Sequence, residues 1–238
     1  MIKKRIAIDM RYTEKRNSGL TRFSKNIILN TLEQDISKEY FFYIILPPKK
    51  LSNHLEEVVE KSNKKVNIIF WDKKRKWRWK LGLYYFDLKL FLFLLEKKVD
   101  LFYTPYIDPP ILFGIDIIST IHDITFIKVK KYFNKFNLIK KIFGEIRLIF
   151  TIIISKQIVS VSQSTKNDLI MRYKYLPKKF FKKIQNINII HNGITKFKSK
   201  INNFDFEFKN YFLYVGDRRP HKNLKYLIEL VKEIRFTL

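Results

Sequence analysis

The chain of 238 residues contains no cysteine. This absence excludes disulfide frameworks, thiolate metal sites and a cysteine nucleophile, and it fits a reducing compartment. Long hydrophobic runs are missing too: the apolar runs at 90–95 and 148–154 are far shorter than the about 20 residues that cross a bilayer. At the amino terminus, Asp9 interrupts the apolar stretch too early for the core of a signal peptide. We therefore expect a cytoplasmic protein, with any membrane contact peripheral and at the inner face of the cell membrane.

Acidic residues are scarce as well, with 22 Asp and Glu against 48 Lys and Arg, so the formal net charge is +26. Such an excess predicts attraction to nucleic acid, to an anionic membrane surface or to a phosphate-bearing substrate. Alanine is almost absent, since Ala7 is the only one, while Lys, Ile, Phe, Asn and Tyr abound. An AT-rich coding sequence imposes the same bias on any fold, and exposed lysines are ordinary. The charge therefore limits the partners without choosing among them.

Hydrophobic residues make up 46% of the chain and aromatic residues 16%, which is enough for a folded core and excludes disorder as the main state. Short apolar runs alternate with segments of helical spacing, each run bounded by Pro, Gly, Asp or Ser. This alternation predicts an α/β, Rossmann-like fold with a mostly parallel sheet and helices on both faces. The runs expected to form strands are 5–9, 41–46, 66–71, 101–103, 117–121, 158–161 and 187–190.

A change in composition near residue 195 predicts a domain boundary. Residues 1–195 form the first domain, and 196–210 are polar and charged, as in a linker. An apolar run at 211–216 followed by helical spacing at 224–231 then predicts the first βα unit of a second Rossmann-like domain, covering 211–238. At about 150 residues per domain, the length corresponds to one domain and part of another.

Three loops at predicted strand ends carry candidate binding residues. Gly19 stands between a strand and a helix, where it serves either as a turn residue or as the place where backbone N–H groups approach a phosphate. His122 follows the run 117–121 and would lie at the carboxyl end of a parallel strand, where open α/β sheets bind ligands. Its imidazole either donates to a sugar hydroxyl or a phosphate, or bonds a nearby backbone carbonyl. Asp123 either caps the next helix or orients His122.

The loop at 216–223 brings cations to the start of a predicted helix. Arg218, Arg219 and Lys222 are suited to a diphosphate through charge-assisted bonds, and a solvated basic turn is the alternative. Basic and aromatic residues also alternate elsewhere, at 73–80, 128–141 and 172–183. Such mixtures suit the interface of an anionic membrane or single-stranded nucleic acid, although no nucleic-acid-binding motif accompanies them. The membrane-facing candidates are Lys76, Trp77, Arg78 and Trp79.

Several segments together resemble the retaining glycosyltransferases of family 4, which have the GT-B fold of two facing Rossmann-like domains. Their order along the chain carries the resemblance, which spans residues 5–232, and the last segment is the most distinctive. Within that family, the segments are most similar to those of mannosyl- or rhamnosyltransferases of bacterial surface-polysaccharide and lipopolysaccharide synthesis. The segments are RIAIDMRY with SGLTRF, DLFYTPYIDPP, STIHDITF, IVSVSQSTKNDL, INIIHNGI and YFLYVGDRRPHKNLKYLIEL.

The resemblance implies roles for individual residues. Gly19 matches the glycine whose backbone lies against the donor diphosphate, and His122 matches the histidine that reaches the transferred sugar. Lys222 matches the lysine that grips the donor phosphates. Asp217 stands where the family has an arginine, so the resemblance leaves that role to Arg218, to Arg219 or to neither. Ser162, Ser164 and the pair Asn192-Gly193 match positions that we interpret as a helix start and a turn.

The implied activity is transfer of a hexose from a nucleotide-diphosphate sugar to a lipid-linked or polysaccharide acceptor. We expect the donor to resemble GDP-mannose. The transfer proceeds with retention and needs no metal or other cofactor, because Arg and Lys neutralise the departing diphosphate. The family's second domain also carries paired glutamates that hold the nucleotide and sugar, and the sequence ends before such a segment. We therefore expect the chain by itself to be catalytically weak, unless a separate chain supplies the rest. The alternative is a non-catalytic basic module that binds anionic membrane or nucleic acid.

Overall fold

The computed structural model of the protein describes residues 3–13, 18–34, 39–49, 55–62, 66–71, 88–107, 109–128, 138–194, 211–216, 218 and 222–236. In these residues the strands are β1 (Lys4–Asp9), β2 (Tyr40–Leu46), β3 (Asn67–Phe70), β4 (Leu101–Thr104), β5 (Asp116–Ile121), β6 (Gln157–Ser160) and β7 (Asn188–Ile189). The helices are α1 (Gly19–Glu33), α2 (Glu56–Ser62), α3 (Leu88–Glu96), α4 (Thr125–Lys128), α5 (Leu138–Ile154), α6 (Gln163–Tyr173), α7 (Lys178–Gln185) and α8 (Leu224–Phe236).

The seven strands form one sheet in the order β3-β2-β1-β4-β5-β6-β7, and every neighbouring pair is parallel. The chain moves outward from β1 to β3, returns to place β4 beside β1, and then moves outward on the other side. The predicted α/β, Rossmann-like fold is thus confirmed. Strand order reverses between β1 and β4, and in such sheets the crevice beyond the carboxyl ends at this point is where ligands bind.

Alternation along the strands sends side chains to two cores, one on each face of the sheet. On one face, Ile8 and Ile44 pack with Ile28 of α1 and Val58 of α2. The other face carries two clusters. One packs α3, through Leu90 and Leu94, against the strand residues Ala7, Ile45, Phe102 and Ile117. The other packs α4–α7 against the strand residues Ile121 and Ile158, with Leu148, Ile152, Leu169 and Ile184 among its helix residues. Because both faces of the strands are covered, they read as continuous apolar runs rather than as alternating ones.

The carboxy-terminal part of the chain corrects one prediction. The apolar run at 211–216 was expected to form a strand, but no strand is assigned there, and Leu213 and Val215 are 76% and 85% exposed. A strand needs a neighbour to take up its backbone hydrogen bonds, and no described strand pairs with this segment. The helix expected after it is confirmed as α8. The predicted linker at 196–210 lies outside the described residues, and the assignment of 211–238 to a second domain stays a prediction.

Across the described ranges, every helix is too short or too polar to cross a membrane.

Candidate functional site

The carboxyl edge of the sheet at the crevice between β1 and β4 brings together residues from three loops, those that follow β1, β4 and β5. Two tyrosines span it, because Tyr12 follows β1 and Tyr106 follows β4, and their ring centroids lie 5.0 Å apart. His122 directly follows β5, as the sequence predicted. The amino terminus of α1, at Gly19, follows β1 in the chain and faces this same edge, because helices in a parallel α/β sheet run antiparallel to the strands.

A buried ion pair fixes the backbone where β1 ends. Asp9 is fully buried and Arg11 is 7% exposed. The Arg11 guanidinium donates from Nε to Oδ1 and from Nη2 to Oδ2 of Asp9, both at 2.8 Å, and the Arg11 backbone N–H donates to Oδ1 at 3.1 Å. Two parallel charge-assisted bonds hold a guanidinium in one orientation. Asp9 and Arg11 therefore set the path of the chain into the loop that leads to α1.

Helix α1 begins with a side-chain cap that leaves space beside its first residue. Ser18 is the N-cap, and its Oγ accepts from the Thr21 backbone N–H at 3.0 Å. Gly19 is exposed, and a Cβ placed on it would meet no atom of the described residues within 4 Å. Packing against those residues therefore does not demand a glycine here. The open space beside Gly19 and the positive end of the helix dipole suit a negatively charged ligand.

His122 is held in place from three sides. Its Nε2 lies 2.9 Å from the Pro105 carbonyl oxygen after β4, and its ring meets the Phe23 ring of α1 edge-on at 4.6 Å. The His122 backbone carbonyl accepts from the Thr165 hydroxyl of α6 at 2.9 Å. The contact with Phe23 places His122 against the same helix that begins at Gly19. The carbonyl contact expected as an alternative is thus present, and it orients the ring.

The environment of His122 decides its protonation. Burial lowers the pKa of its imidazole below the ordinary value, and this outweighs the raising effects of the Pro105 carbonyl and the Asp123 charge. A neutral imidazole that lies against a carbonyl oxygen carries its hydrogen on that nitrogen, here Nε2. Nδ1 is then left as an acceptor. In this state His122 can accept a hydrogen bond from a ligand hydroxyl through Nδ1, while Nε2 is occupied.

Asp123 and Ser162 turn out to have structural roles. Asp123 Oδ1 accepts at 2.8 Å from the backbone N–H of Thr125, the first residue of α4, so its carboxylate bonds the start of that helix. Ser162 is the N-cap of α6 and accepts from the Thr165 backbone N–H at 3.1 Å, as expected of a helix start. Residues 191–194, which include Asn192-Gly193, have no assigned turn.

The remaining candidates are not joined to this edge by any described contact. Arg218 and Lys222 are exposed, and within the described part of the chain neither forms a hydrogen bond or an ion pair. Arg219 lies outside the described residues, as do Lys76, Trp77, Arg78 and Trp79. No group of three or more His, Asp or Glu that could hold a metal ion occurs in the described ranges.

Sequence reasoning missed the residues that position His122. Phe23, Pro105 and Thr165 come from three different loops and helices, and each is unremarkable in its own segment. The ion pair of Asp9 and Arg11 does leave a signal, because an acid and a base two residues apart interrupt the end of an apolar strand. Charged residues at such a position are buried only when paired, which would have identified them.

Comparison with models of protein families finds no match to this chain, and comparison with curated proteins finds none either.

Proposed function

We propose that the chain is the acceptor-side part of a retaining glycosyltransferase of family 4 type. In this proposal a hexose passes from a nucleotide-diphosphate sugar to a lipid-linked or polysaccharide acceptor. One observation carries this proposal: His122 contacts Phe23 of α1, the helix that begins at Gly19. This contact lies at the carboxyl edge of the sheet, beside β1 and β4, where the strand order reverses. A ligand that reaches both contacts must lie in that crevice.

The chemistry of the two positions suits the two parts of such a donor. The first turn of α1 offers backbone N–H groups and the positive end of the helix dipole to the diphosphate, and Gly19 leaves the approach open. Neutral His122 offers an acceptor to a sugar hydroxyl through Nδ1. The bond from the anomeric carbon to the diphosphate oxygen breaks, and a bond from that carbon to the acceptor hydroxyl oxygen forms with retention. The hydroxyl proton leaves on the diphosphate. Arg218, Arg219 and Lys222 are the proposed cations that neutralise the departing diphosphate.

Calorimetric titration with nucleoside diphosphates and nucleotide-diphosphate hexoses tests this proposal. We expect saturable binding that weakens at least about tenfold in Gly19→Ala, because the added methyl group occupies the path of the diphosphate. The matched control is Gly193→Ala, since a Cβ at Gly193 also meets no atom within 4 Å. Absence of saturable binding to every nucleotide tested, or equal weakening in both variants, would reject the proposal. Hexose transfer that survives His122→Ala would remove the histidine from it.

We further propose peripheral contact with an anionic membrane, made by α3. Its outward residues Leu88, Leu92 and Leu95 recur at helical spacing and are 51%, 54% and 46% exposed. Phe113 is 65% exposed and stacks edge-on with Phe91 of the same helix. Lys89 and Lys98 flank this apolar surface. Apolar residues beside lysines match the interface of an anionic bilayer, and the candidates at 76–79 precede α3 in the chain.

Flotation with vesicles tests the membrane contact. The chain should float with vesicles of phosphatidylcholine and phosphatidylglycerol, and the variant Leu92→Ser with Leu95→Ser should float markedly less. The control is Ile142→Ser with Ile146→Ser, which changes two exposed isoleucines of α5. Equal loss in both variants argues against a specific role of α3. Binding that also occurs with single-stranded nucleic acid and collapses steeply with salt would favour the alternative, a basic nucleic-acid-binding module.

A further inference from the structure

A groove lies at the amino edge of the sheet, on the opposite side from His122. It has a volume of about 690 Å³ and is lined by the first residues of three neighbouring strands, Leu101 of β4, Asp116 of β5 and Gln157 of β6, together with one side of α7. Its volume is within the range of small-molecule sites, about 300–1,000 Å³. Leu101, Ile118 and Ile158 supply apolar lining. The groove is separate from the candidate site at the carboxyl edge.

Four lysines line this groove, and two of them are already engaged. The Lys156 ammonium pairs with the Asp116 carboxylate at 2.6 Å. The Lys183 ammonium donates to the backbone carbonyls of Ile153 and Ser155 at 2.8 and 2.7 Å, and to that of Ile152 at 3.3 Å. It thereby satisfies the carboxy-terminal end of α5, where a cation is favourable. These two lysines have a structural explanation.

The other two, Lys179 and Lys182, have none. Both are exposed, and in the described part of the chain their ammonium groups have no hydrogen-bond or ion-pair partner. They belong to α7, which carries four lysines and no acidic residue in eight positions. Lys179 stands one turn from Lys183, and like charges at that spacing destabilise a helix. Burial, and then the charge of Lys179, lower the pKa of Lys183. The helix itself offers no carboxylate to offset these charges.

We propose that this amino-edge groove binds an organic phosphate, with the phosphate group between Lys179 and Lys182 and the apolar part over Leu101 and Ile118. An anion there relieves the repulsion along α7 and accepts charge-assisted hydrogen bonds from both ammonium groups. The apolar lining distinguishes the groove from a solvated row of lysines, because it gives the rest of such a ligand a surface to cover. The source of the phosphate is either a free metabolite or a lipid headgroup, and both present the same chemistry.

Two probes separate these sources: phenyl phosphate, a free organic phosphate with an apolar part, and soluble dihexanoyl phosphatidate below its micelle concentration. Each is titrated into the full chain by calorimetry, and protection of individual lysines from acetylation is read by mass spectrometry. The test variant is Lys179→Gln with Lys182→Gln, which disturbs no described bond. The matched control is Lys174→Gln with Lys178→Gln, which removes the same charge from neighbouring exposed positions outside the groove.

We expect at least one probe to bind with an affinity that falls about tenfold or more in the test variant and less than twofold in the control. Lys179 and Lys182 should then be protected from acetylation. Tighter binding of phosphatidate assigns the groove to a lipid headgroup, and equal or weaker binding assigns it to a free phosphate. Equal losses in the two variants, or no binding of either probe at 10 mM, would overturn the proposal. Binding of both probes is also measured in Gly19→Ala. Unchanged affinity in that variant shows that the probes do not bind at the proposed donor site.

Discussion

At the scale of single residues, His122 combines a structural contact through Nε2 with a neutral imidazole. It is a structural contact, because Nε2 bonds the Pro105 carbonyl and thereby ties the loop after β5 to the loop after β4. Burial also lowers the pKa of the imidazole, so the ring is neutral at neutral pH and Nδ1 is its acceptor nitrogen. Substituting His122 therefore changes both stability and any ligand contact. The pH dependence of stability, measured without a ligand, reports on the first of these alone.

The first prediction concerns stability at acid pH. The folded state holds His122 with a pKa below the about 6.5 of an unfolded chain. Between the folded pKa and that value the unfolded state binds more protons, so the free energy of unfolding falls as the pH falls through this window and then levels off. In His122→Gln this contribution is lost. Denaturant unfolding at pH 7.5 and pH 5 should show a smaller decrease for His122→Gln than for the wild type.

The same measurement on His191→Gln serves as the control, since His191 is exposed and its ring lies 3.2 Å from the Val161 carbonyl. The prediction compares how far the free energy of unfolding falls between pH 7.5 and pH 5. If His191→Gln makes this fall as small as His122→Gln does, the prediction is contradicted. Titration of the His122 ring by NMR should give a midpoint below pH 6.5.

The second prediction concerns the ion pair of Asp9 and Arg11. Both side chains are almost fully buried, so removing one leaves an uncompensated charge in a low-dielectric environment. We expect Arg11→Met to lower the free energy of unfolding by about 3 kcal/mol, within the range for broken buried pairs. Asp9→Leu combined with Arg11→Met should cost clearly less, because no lone charge remains. Chemical denaturation of the wild type, Arg11→Met, Asp9→Leu and the double variant measures this. Additive losses in the two single variants would show that the pair is not coupled.

At the scale of elements, the packing of α5 against α4 depends on a glycine. A Cβ on Gly144 would lie 2.5 Å from Cε2 and 2.9 Å from Cδ2 of the Phe126 ring. Alanine raises helix propensity by about 1 kcal/mol over glycine, while overpacking costs about 1–3 kcal/mol. The closer approach that glycine allows therefore outweighs its poor propensity. Gly144 accordingly lets α5 lie against Phe126.

The third prediction follows from these two opposing terms. Gly144→Ala should destabilise the protein by about 1 kcal/mol, because the ring of Phe126 must move. In the background Phe126→Ala the clash is gone, so the same change should stabilise by up to about 1 kcal/mol. A double-mutant cycle of unfolding free energies measures this reversal of sign. If Gly144→Ala has the same effect in both backgrounds, the contact with Phe126 does not determine the residue at 144.

At the scale of the whole molecule, the described core lies entirely within the seven-stranded sheet and its helices. The residues of the three buried clusters run from Ala7 to Ile187. By contrast, apolar side chains at 211–215 and along α8 are exposed, including Phe212 at 68% and Tyr226 at 61%. Exposed apolar surface contributes little to stability, because the gain comes from its removal from water.

The fourth prediction is that the sheet folds without the carboxy-terminal segment. A chain ending at residue 194 should unfold cooperatively, with a free energy of unfolding within about 1 kcal/mol of the full chain. Thermal and urea denaturation followed by circular dichroism measure it, after subtraction of the signal from α8. A loss of several kcal/mol, or failure to fold, would show that the residues removed after 194 support the sheet.

The sequence by itself determined the fold class and the limits of the strands to within a residue or two. It could do so because strands of a parallel sheet are buried on both faces and stand out as apolar runs between polar loops. It also placed His122 at a strand end, since the residue follows such a run. It was wrong about 211–216, because an apolar run becomes a strand only when a neighbouring strand accepts its hydrogen bonds.

Only the tertiary structure decided what surrounds these residues. Strand order, and with it the crevice between β1 and β4, depends on pairings between segments nearly 100 residues apart, which local patterns do not contain. The contacts of His122 with Phe23 and Pro105, and the bonds of Lys183 to the end of α5, arise in the same way. Local pattern indicates which segments can be buried, since apolar runs and helical spacing mark them, but the apolar run at 211–215 is exposed. Which segments meet, and therefore which lysine of the described residues is engaged, is decided by packing in three dimensions.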